Sequence, residues 1–212
     1  MSNPEFIRKT LTVVGGRIAE ELKGKSCLDL ETDIEDQKQI ISSRSFGYQV
    51  KSGDEIKESI ANHVTSAAEK LRRQNLICKN LTVFIQTNPF KSAPHYSNSA
   101  SIDLLSGTAV INKLIKQALR LIDEIFKEGY EYKKCGVIFN NLIKADYMQA
   151  NFFGNYDSVK ESNFMKVVDQ LNRFHGTNTV KFAACGVDQF WKMLSEMKSP
   201  CYTTRWNELK KV

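Results

Sequence analysis

Between Gln39 and Asn140 the chain switches repeatedly between two hydrophobic periods, and the order of the switches restricts its fold more than any other feature. Gln39 to Phe46 is a β-compatible run closed by Gly47. Ser52 and Glu55 then have the spacing of a capping box, ahead of a helical stripe of Ile56, Ile60, Val64, Ala67 and Leu71 that ends near Arg72 and Arg73. Leu81, Val83 and Ile85 alternate with Thr82, Phe84 and Gln86, the period of a strand with two unlike faces. A polar run from Tyr96 to Ile102 gives a second serine-rich strand. Thr108 is placed to cap a long helix striped by Ile111, Leu114, Ile115, Ala118, Leu121, Ile122, Ile125 and Phe126, closed by Gly129. Cys135, Val137 and Phe139 then alternate with Gly136, Ile138 and Asn140. Strand, helix, strand, strand, helix, strand is the split βαβ order, an α+β fold in which two helices cover one face of a four-stranded sheet. The other face is left free to work.

The first strand carries Ser42, Ser43, Arg44 and Ser45 where a buried strand would carry Val or Ile. Hydroxyls, a guanidinium and the close backbone approach allowed at Gly47 suit phosphate oxygens, which accept hydrogen bonds from Ser, Arg and main-chain N–H groups. Ser97, Asn98 and Ser99 offer the same chemistry on the second serine-rich strand. A net charge of +6 leans the same way. A solvated edge strand would show the same residues, and a one-residue slip of register would invert which of them share the free face.

The flanks are simpler. Asn3 and Pro4 open a helix with Ile7, Leu11, Val14, Ile18 and Leu22 on one side and Gly24 at its end, and the pair Gly15 and Gly16 inside it hints at close packing. An acidic linker over residues 25–37, with Asp29, Glu31, Asp33, Glu35 and Asp36, lacks the Gly-centred frame of a cation loop. Residues 141–157 break the periodicity and hold Gln149, Ala150, Asn151, Phe152 and Phe153. Two adjacent phenylalanines in a polar connection either fold back or insert into a partner's apolar groove. Ser158 and Glu161 propose another capping box, Phe164 to Phe174 a helix closed by Gly176, Val180 to Ala184 a strand, and Phe190 to Met197 a short helix.

No catalytic constellation emerges. There is no phosphate-binding glycine loop and no H-E-x-x-H; His63, His95 and His175 are scattered, and His63 reads as a packed histidine beside its helix stripe. Five separated cysteines without a C-x-x-C pair argue against disulfides and zinc and for a reducing cytoplasm, where Cys78 and Cys135 are simple core residues. No segment approaches the ~20 apolar residues of a membrane span, so a soluble protein with no metal or cofactor of its own is expected.

Four stretches together resemble the UmuC branch of the Y-family translesion DNA polymerases: Ser43 to Gly47; Ala67 to Arg72; Asn88, Pro89 and Phe90 with Tyr96 and Asn98 to Ser101; and Ser199 to Trp206. The resemblance covers nearly the whole chain but only the C-terminal half of such a polymerase. It implies a thumb-like helix over 1–24, a tether over 25–37, a DNA-binding little finger over 38–147, a clamp-binding linker over 148–154 and a C-terminal extension over 155–212. It further implies that Ser42, Ser43, Arg44, Ser45, Gly47, Ser97, Asn98 and Ser99 grip primer–template duplex, and that Gln149, Ala150, Asn151, Phe152 and Phe153 dock on a bacterial sliding clamp, with Ala150 departing from the usual leucine. The palm carboxylates that hold Mg2+ in the family have no counterpart here, so no polymerisation by this chain alone is implied. A UmuD dimer and the RecA filament are the further partners, in the setting of SOS damage tolerance.

Two other readings compete. An RNA-recognition module of the RRM type has the same element order but stacks bases on paired aromatics, and the third strand offers only Tyr96 followed by Ser97 to Ser101. A protein-interaction piece acting through residues 155–212 is the third.

Overall fold

The computed structural model describes residues 4–29, 37–147 and 157–209, and the chain divides into two compact units, Met1–Asp36 and Gln37–Val212. The first unit contains α1 (Pro4–Glu21), with Pro4 at its first turn as expected and Asn3 outside the described residues. The helix is not one continuous run: Thr12 sits at φ 63 and breaks it in two. Within this unit a Cβ on Gly15 would fall 2.3 Å from Leu11 Cβ, so the close approach expected at the glycine pair is present at Gly15, whereas one on Gly16 meets no atom within 4 Å.

The second unit is built on β1 (Gln39–Val50), α2 (Gly53–Arg73), β2 (Leu76–Thr87), β3 (Ser97–Thr108), α3 (Ile111–Ile125) and β4 (Tyr132–Lys144). The strands lie in the order β1-β4-β2-β3, and every neighbouring pair is antiparallel. Thus β1 and β2 run the same way with β4 between them, and β3 and β4 do so around β2. Each helix crosses over one intervening strand, which is the split βαβ arrangement.

The period-2 and period-3.6 stripes meet in a single core. Ile56, Ile60, Val64, Ala67 and Leu71 of α2, and Ile111, Leu114, Ile115, Ala118, Leu121, Ile122 and Ile125 of α3, are buried on Ile40, Phe46, Leu81, Val83, Ile85, Val137 and Phe139 of the sheet. Cys78 and Cys135 are buried with them, and burial pushes both thiols up to about 12, so neither is a nucleophile at neutral pH.

Local chemistry at the helix starts departs from the expected caps. Ser52 is the N-cap of α2 but makes no side-chain capping bond, and the Glu55 carboxylate accepts from the Tyr48 hydroxyl on β1 rather than reaching back to the cap. The N-cap of α3 is Val110, two residues beyond the expected Thr108. Thr108 Oγ1 accepts from the Val110 N–H and donates to the Asp157 carboxylate, so it ties the helix start to the C-terminal segment.

That segment packs on the helix layer. Its helix α4 (Val159–His175) has the expected capping box between Ser158 and Glu161. Met165 enters the core, Arg72 of α2 holds Asp169 in a two-pronged ion pair at 2.7 Å, and Lys113 of α3 reaches Asp157 and Glu161. Beyond α4 the expected strand at Val180–Ala184 does not form; a short 3-10 turn, Ala183–Cys185, stands there. Of the alternating residues Val180 and Ala184 are exposed and Phe182 is half-buried; it is Cys185 that is buried, beside Thr65 of α2, and its carbonyl accepts from Asn62. Nor is Phe190–Met197 helical. Trp191 lays its ring edge-on to Phe46 at 6.2 Å, and its carbonyl accepts from the Gly47 N–H. A Cβ on Gly47 would come within 2.3 Å of the Lys192 carbonyl, so glycine is required at this crossing.

Candidate nucleic-acid interface

Strand register settles what sequence alone left open. Four residues line up across the sheet in each row. On the open face these rows are Gln39, Asn140, Asn80, Asp103; Ile41, Ile138, Thr82, Ser101; Ser43, Gly136, Phe84, Ser99; and Ser45, Lys134, Gln86, Ser97. The intervening rows, such as Ile40, Phe139, Leu81, Ile102, face the helices. Side chains of the open rows are half-buried or exposed, whereas their helix-side neighbours on the central strands are fully covered. The C-terminal segment makes hydrogen bonds to the helix layer and to the Gly47 end of β1.

One end of the face is a hydrogen-bonded polar lattice. Asn140 Nδ2 donates to Asn80 Oδ1 at 3.2 Å and to Thr82 Oγ1 at 3.3 Å, and Asn80 Nδ2 donates to Asp103 at 2.8 Å. The other end places Ser43 and Ser45 on one edge strand and Ser97 and Ser99 on the other, about 14 Å away across Lys134 and Gln86. Between them the Phe84 ring lies over Gly136, where a Cβ would sit 2.8 Å from the ring and 2.3 Å from Ser43 Cβ. Lys134 Nζ stands 5.8 Å from the ring centroid. The rows hold one lysine and one carboxylate, so the face is a neutral surface of donors and acceptors with a single positive point near its serine end.

The eight residues expected to bind phosphate do not stay together. Ser43, Ser45, Ser97 and Ser99 share the open face. Ser42 and Arg44 are on the other side. Ser42 Oγ lies 3.1 Å from Nδ1 of His63 on α2, and Arg44 pairs in register with Cys135, whose thiol meets Ser59 of α2. Burial, and next the Arg44 charge, hold the His63 imidazole down at about 4, so it stays neutral near pH 7. His63 is therefore the packed histidine expected, with its Nε2 buried and unpartnered. Asn98 also falls on the helix side, where its amide donates to the Tyr96 hydroxyl. Gly47 is occupied by Trp191 and Lys192. The proposed clamp residues Gln149, Ala150, Asn151, Phe152 and Phe153 lie outside the described residues.

Sequence reasoning did not single out Asn80, Thr82, Gln86, Ser101, Lys134 and Asn140 as part of this surface. The alternation of Thr82, Phe84 and Gln86 against Leu81, Val83 and Ile85 was the signal, and strand pairing was needed to join it to the serines. No group of three or more His, Cys, Asp or Glu converges to hold a metal ion among the described residues, and no described helix is long and apolar enough to cross a membrane.

Comparison with known proteins places this architecture. Residues 37–152 match the impB/mucB/samB family C-terminal domain, and residues 162–212 match a domain of unknown function, DUF4113. The chain is 36% identical over 209 residues to protein UmuC of Salmonella typhimurium, an alignment covering 98% of this chain and 50% of that protein. It is 37% identical over 210 residues to protein SamB of Salmonella typhimurium, covering 98% and 49%, and 32% identical over 209 residues to protein MucB of Escherichia coli, again 98% and 49%. The chain spans about half the length of these relatives. Among solved structures, a DinB family error prone DNA polymerase from Sulfolobus solfataricus aligns at a TM-score of 0.42 and 15% identity, over 67% of this chain and 40% of that one. A Y-family DNA polymerase chimera, Dbh-Dpo4-Dbh, aligns at 0.40 and 16%, over 67% and 39%. The chain belongs to the impB/mucB/samB family and carries its C-terminal, UmuC-like part.

Proposed function

We propose that this chain is the DNA-gripping, non-catalytic part of a UmuC-like translesion polymerase, and that the open face of its sheet rests on the sugar–phosphate backbone of primer–template duplex. The observation that carries the reading is the pair of serine edges, Ser43 and Ser45 on β1 and Ser97 and Ser99 on β3, flanking Lys134 and Gln86 on a sheet face whose side chains are half-buried or exposed. Hydroxyl and amide donors hold phosphate oxygens without reading base identity, as a polymerase that must tolerate damaged templates requires. Nucleotidyl transfer and its Mg2+ belong, on this reading, to a separate palm. The wider setting is SOS DNA repair in the bacterial cytoplasm.

Because Lys134 is the one cation in the open rows, few counterions are released on binding. Titrating the full chain with a fluorescent blunt duplex should give weak, sequence-indifferent binding whose log affinity falls with log salt at a slope of only about −1 to −2. Lys134→Ala should flatten that slope by about 1. Absence of duplex binding at low salt, or a slope unaffected by Lys134→Ala, overturns the assignment. The lone ring of Phe84 gives a single-strand reading its one foothold, and much tighter binding to single strands than to duplex would favour that reading.

Gln149, Ala150, Asn151, Phe152 and Phe153 follow β4 and the 3-10 turn Ala145–Tyr147, a place from which a short linear motif can reach a second protein. Their proposed role is to dock on the sliding clamp, Phe152 and Phe153 filling an apolar pocket and the tether raising local concentration at the primer end. Replacing both phenylalanines by Ala should abolish co-elution with a purified bacterial clamp; unchanged co-elution refutes the role. UmuD and RecA are proposed as further partners of the C-terminal segment.

A further inference from the structure

Between α2 and α4 lies a cleft of about 330 Å³, in the lower part of the range of ligand pockets. Its floor is apolar, made by Leu76, Ile77, Val110 and Met165, all of them buried. On the α2 wall, Arg72 and Arg73 follow Glu69 by three and four residues, so the three side chains share one side of that helix. On the α4 wall, Lys166, Asp169 and Arg173 are spaced by three and four residues and share the inner side of theirs.

Some of these charges are already committed within the domain. Arg72 donates through Nε and Nη2 to the Asp169 carboxylate at 2.7 Å and through Nη1 to the Ala109 carbonyl at 2.8 Å. Asp157, which also borders the cleft, is held by Thr108 and Lys113. That leaves Arg73, Lys166 and Arg173 against the one carboxylate of Glu69, and among the described residues none of the three cations has a hydrogen bond or ion pair. Like charges on the rim of an apolar cavity repel one another, and an anion seated among them removes that cost. A DNA backbone would bring phosphates but nothing to cover the floor, whereas an acidic peptide supplies both an apolar group and carboxylates. We infer that the α2–α4 cleft is a docking site for a short acidic segment of a partner protein. One apolar side chain sits on Leu76, Ile77, Val110 and Met165, and carboxylates beside it meet Arg73, Lys166 and Arg173. The cleft is on the helix side of the sheet, so the inference stands whether or not the open face meets DNA.

The test titrates the full chain, labelled at its Ile, Leu, Val and Met methyl groups, with synthetic peptides of about eight residues that carry one central Leu, Ile, Phe or Trp between Asp and Glu. Counterparts carry Lys in place of the acids, or Ser in place of the apolar residue. Methyl NMR spectra should show saturable shifts at Ile77, Val110 and Met165 with at least one acidic peptide, which should bind at least about tenfold more tightly than its Lys counterpart. That gap should narrow as salt rises, and the Ser counterpart should lose the shifts. Arg73→Glu and Arg173→Glu reverse exposed side chains and leave the Arg72–Asp169 pair in place. Each should weaken binding at least about fivefold with far-UV circular dichroism unchanged, whereas Lys160→Glu, on the far side of α4 by helical spacing, should not. No shift at these methyls with any acidic peptide, an equal response to the Lys counterparts, full binding by both reversal variants, or an equal loss in Lys160→Glu overturns the inference. Shifts produced at the same methyls by blunt duplex and not by the peptides would assign the cleft to nucleic acid, which also overturns it.

Discussion

The two faces of the sheet are made by the same four strands, residue by alternate residue, yet they obey different rules. On the helix side each row of the central strands is apolar: Phe139 beside Leu81, Val137 beside Val83, Cys135 beside Ile85. On the open side the rows mix Asn, Thr, Ser, Gln, Lys, Phe and Ile. The helix side answers to packing density, which leaves little freedom of residue type once α2 and α3 are in place. The open side answers to no partner within the domain, and a set of polar groups held there at fixed register is the kind of surface a ligand reads. Position in the fold, rather than residue type, therefore separates the serines that stabilise from those available for binding.

The comparison predicts its largest contrast between neighbours on β4. Phe139 is fully buried in the core beneath the helix layer, and Phe139→Ala should cost about 3–5 kcal/mol of unfolding free energy. Ile138, one residue away on the open face, should cost about 1 kcal/mol or less as Ala. Urea denaturation of both variants measures the difference, and similar losses would mean that the open face is covered after all.

The next effect is in pH. The His63 imidazole falls from an ordinary 6.5 to about 4 in the fold, through burial and then the Arg44 charge. The unfolded chain therefore binds the proton first as pH drops. Stability from this group is complete above pH 6.5 and is lost between pH 6.5 and about 4, to a total of about 3 kcal/mol. The urea midpoint should fall over that window in the wild type, and His63→Leu should remove this component. An unchanged profile in the variant would place the titration elsewhere.

Gly136 links the faces more subtly. Any side chain there would strike Ser43 Cβ, the Phe84 ring and the Ser42 carbonyl, all closer than 3 Å to the added carbon. Gly136→Val should cost about 1–3 kcal/mol, and Phe84→Ala in the same chain should recover part of the loss by vacating the space. Purely additive losses in the double variant would show that Phe84 does not lie on the glycine.

Legibility followed the same division. The four strands and two covering helices were readable because each buries one stripe, and burial writes period 2 or 3.6 directly into sequence, as in Leu81, Val83 and Ile85 or Ile56, Ile60 and Val64. Face assignment on β1 was not readable, because Ser42, Ser43, Arg44 and Ser45 contain no apolar marker to set the phase; His63 and Cys135 set it from outside the strand. The caps expected at Ser52 and Thr108 depended on partners the local pattern does not show, since Tyr48 on β1 takes the Glu55 carboxylate and Asp157, far along the chain, takes the Thr108 hydroxyl. In the C-terminal segment, the alternation of Val180, Phe182 and Ala184 imitated a strand, although a 3-10 turn against α2 buries Cys185 without needing a strand partner.

The smallest expected effects carry the sharpest test, because they come from adjacent residues of one type. Ser42 turns its hydroxyl to His63, and Ser43 turns its own to the open face beside Gly136. Ser42→Ala removes one partly buried hydrogen bond and leaves His63 Nδ1 unpaired, so it should cost about 0.5–1.5 kcal/mol of stability while duplex affinity holds. Ser43→Ala loses no bond to the helix layer and should stay within ~0.5 kcal/mol of wild type in stability, as open-surface substitutions do. If the open face meets DNA, that variant should nonetheless weaken duplex binding, and combining it with Ser99→Ala, its row-mate across the sheet, should weaken binding further. Measured together by urea denaturation and by anisotropy at low salt, the two serines should trade places between the assays. A chain in which Ser42→Ala impairs binding and Ser43→Ala does not would require DNA to approach from the β1 edge, where Arg44 stands, instead of from the open rows.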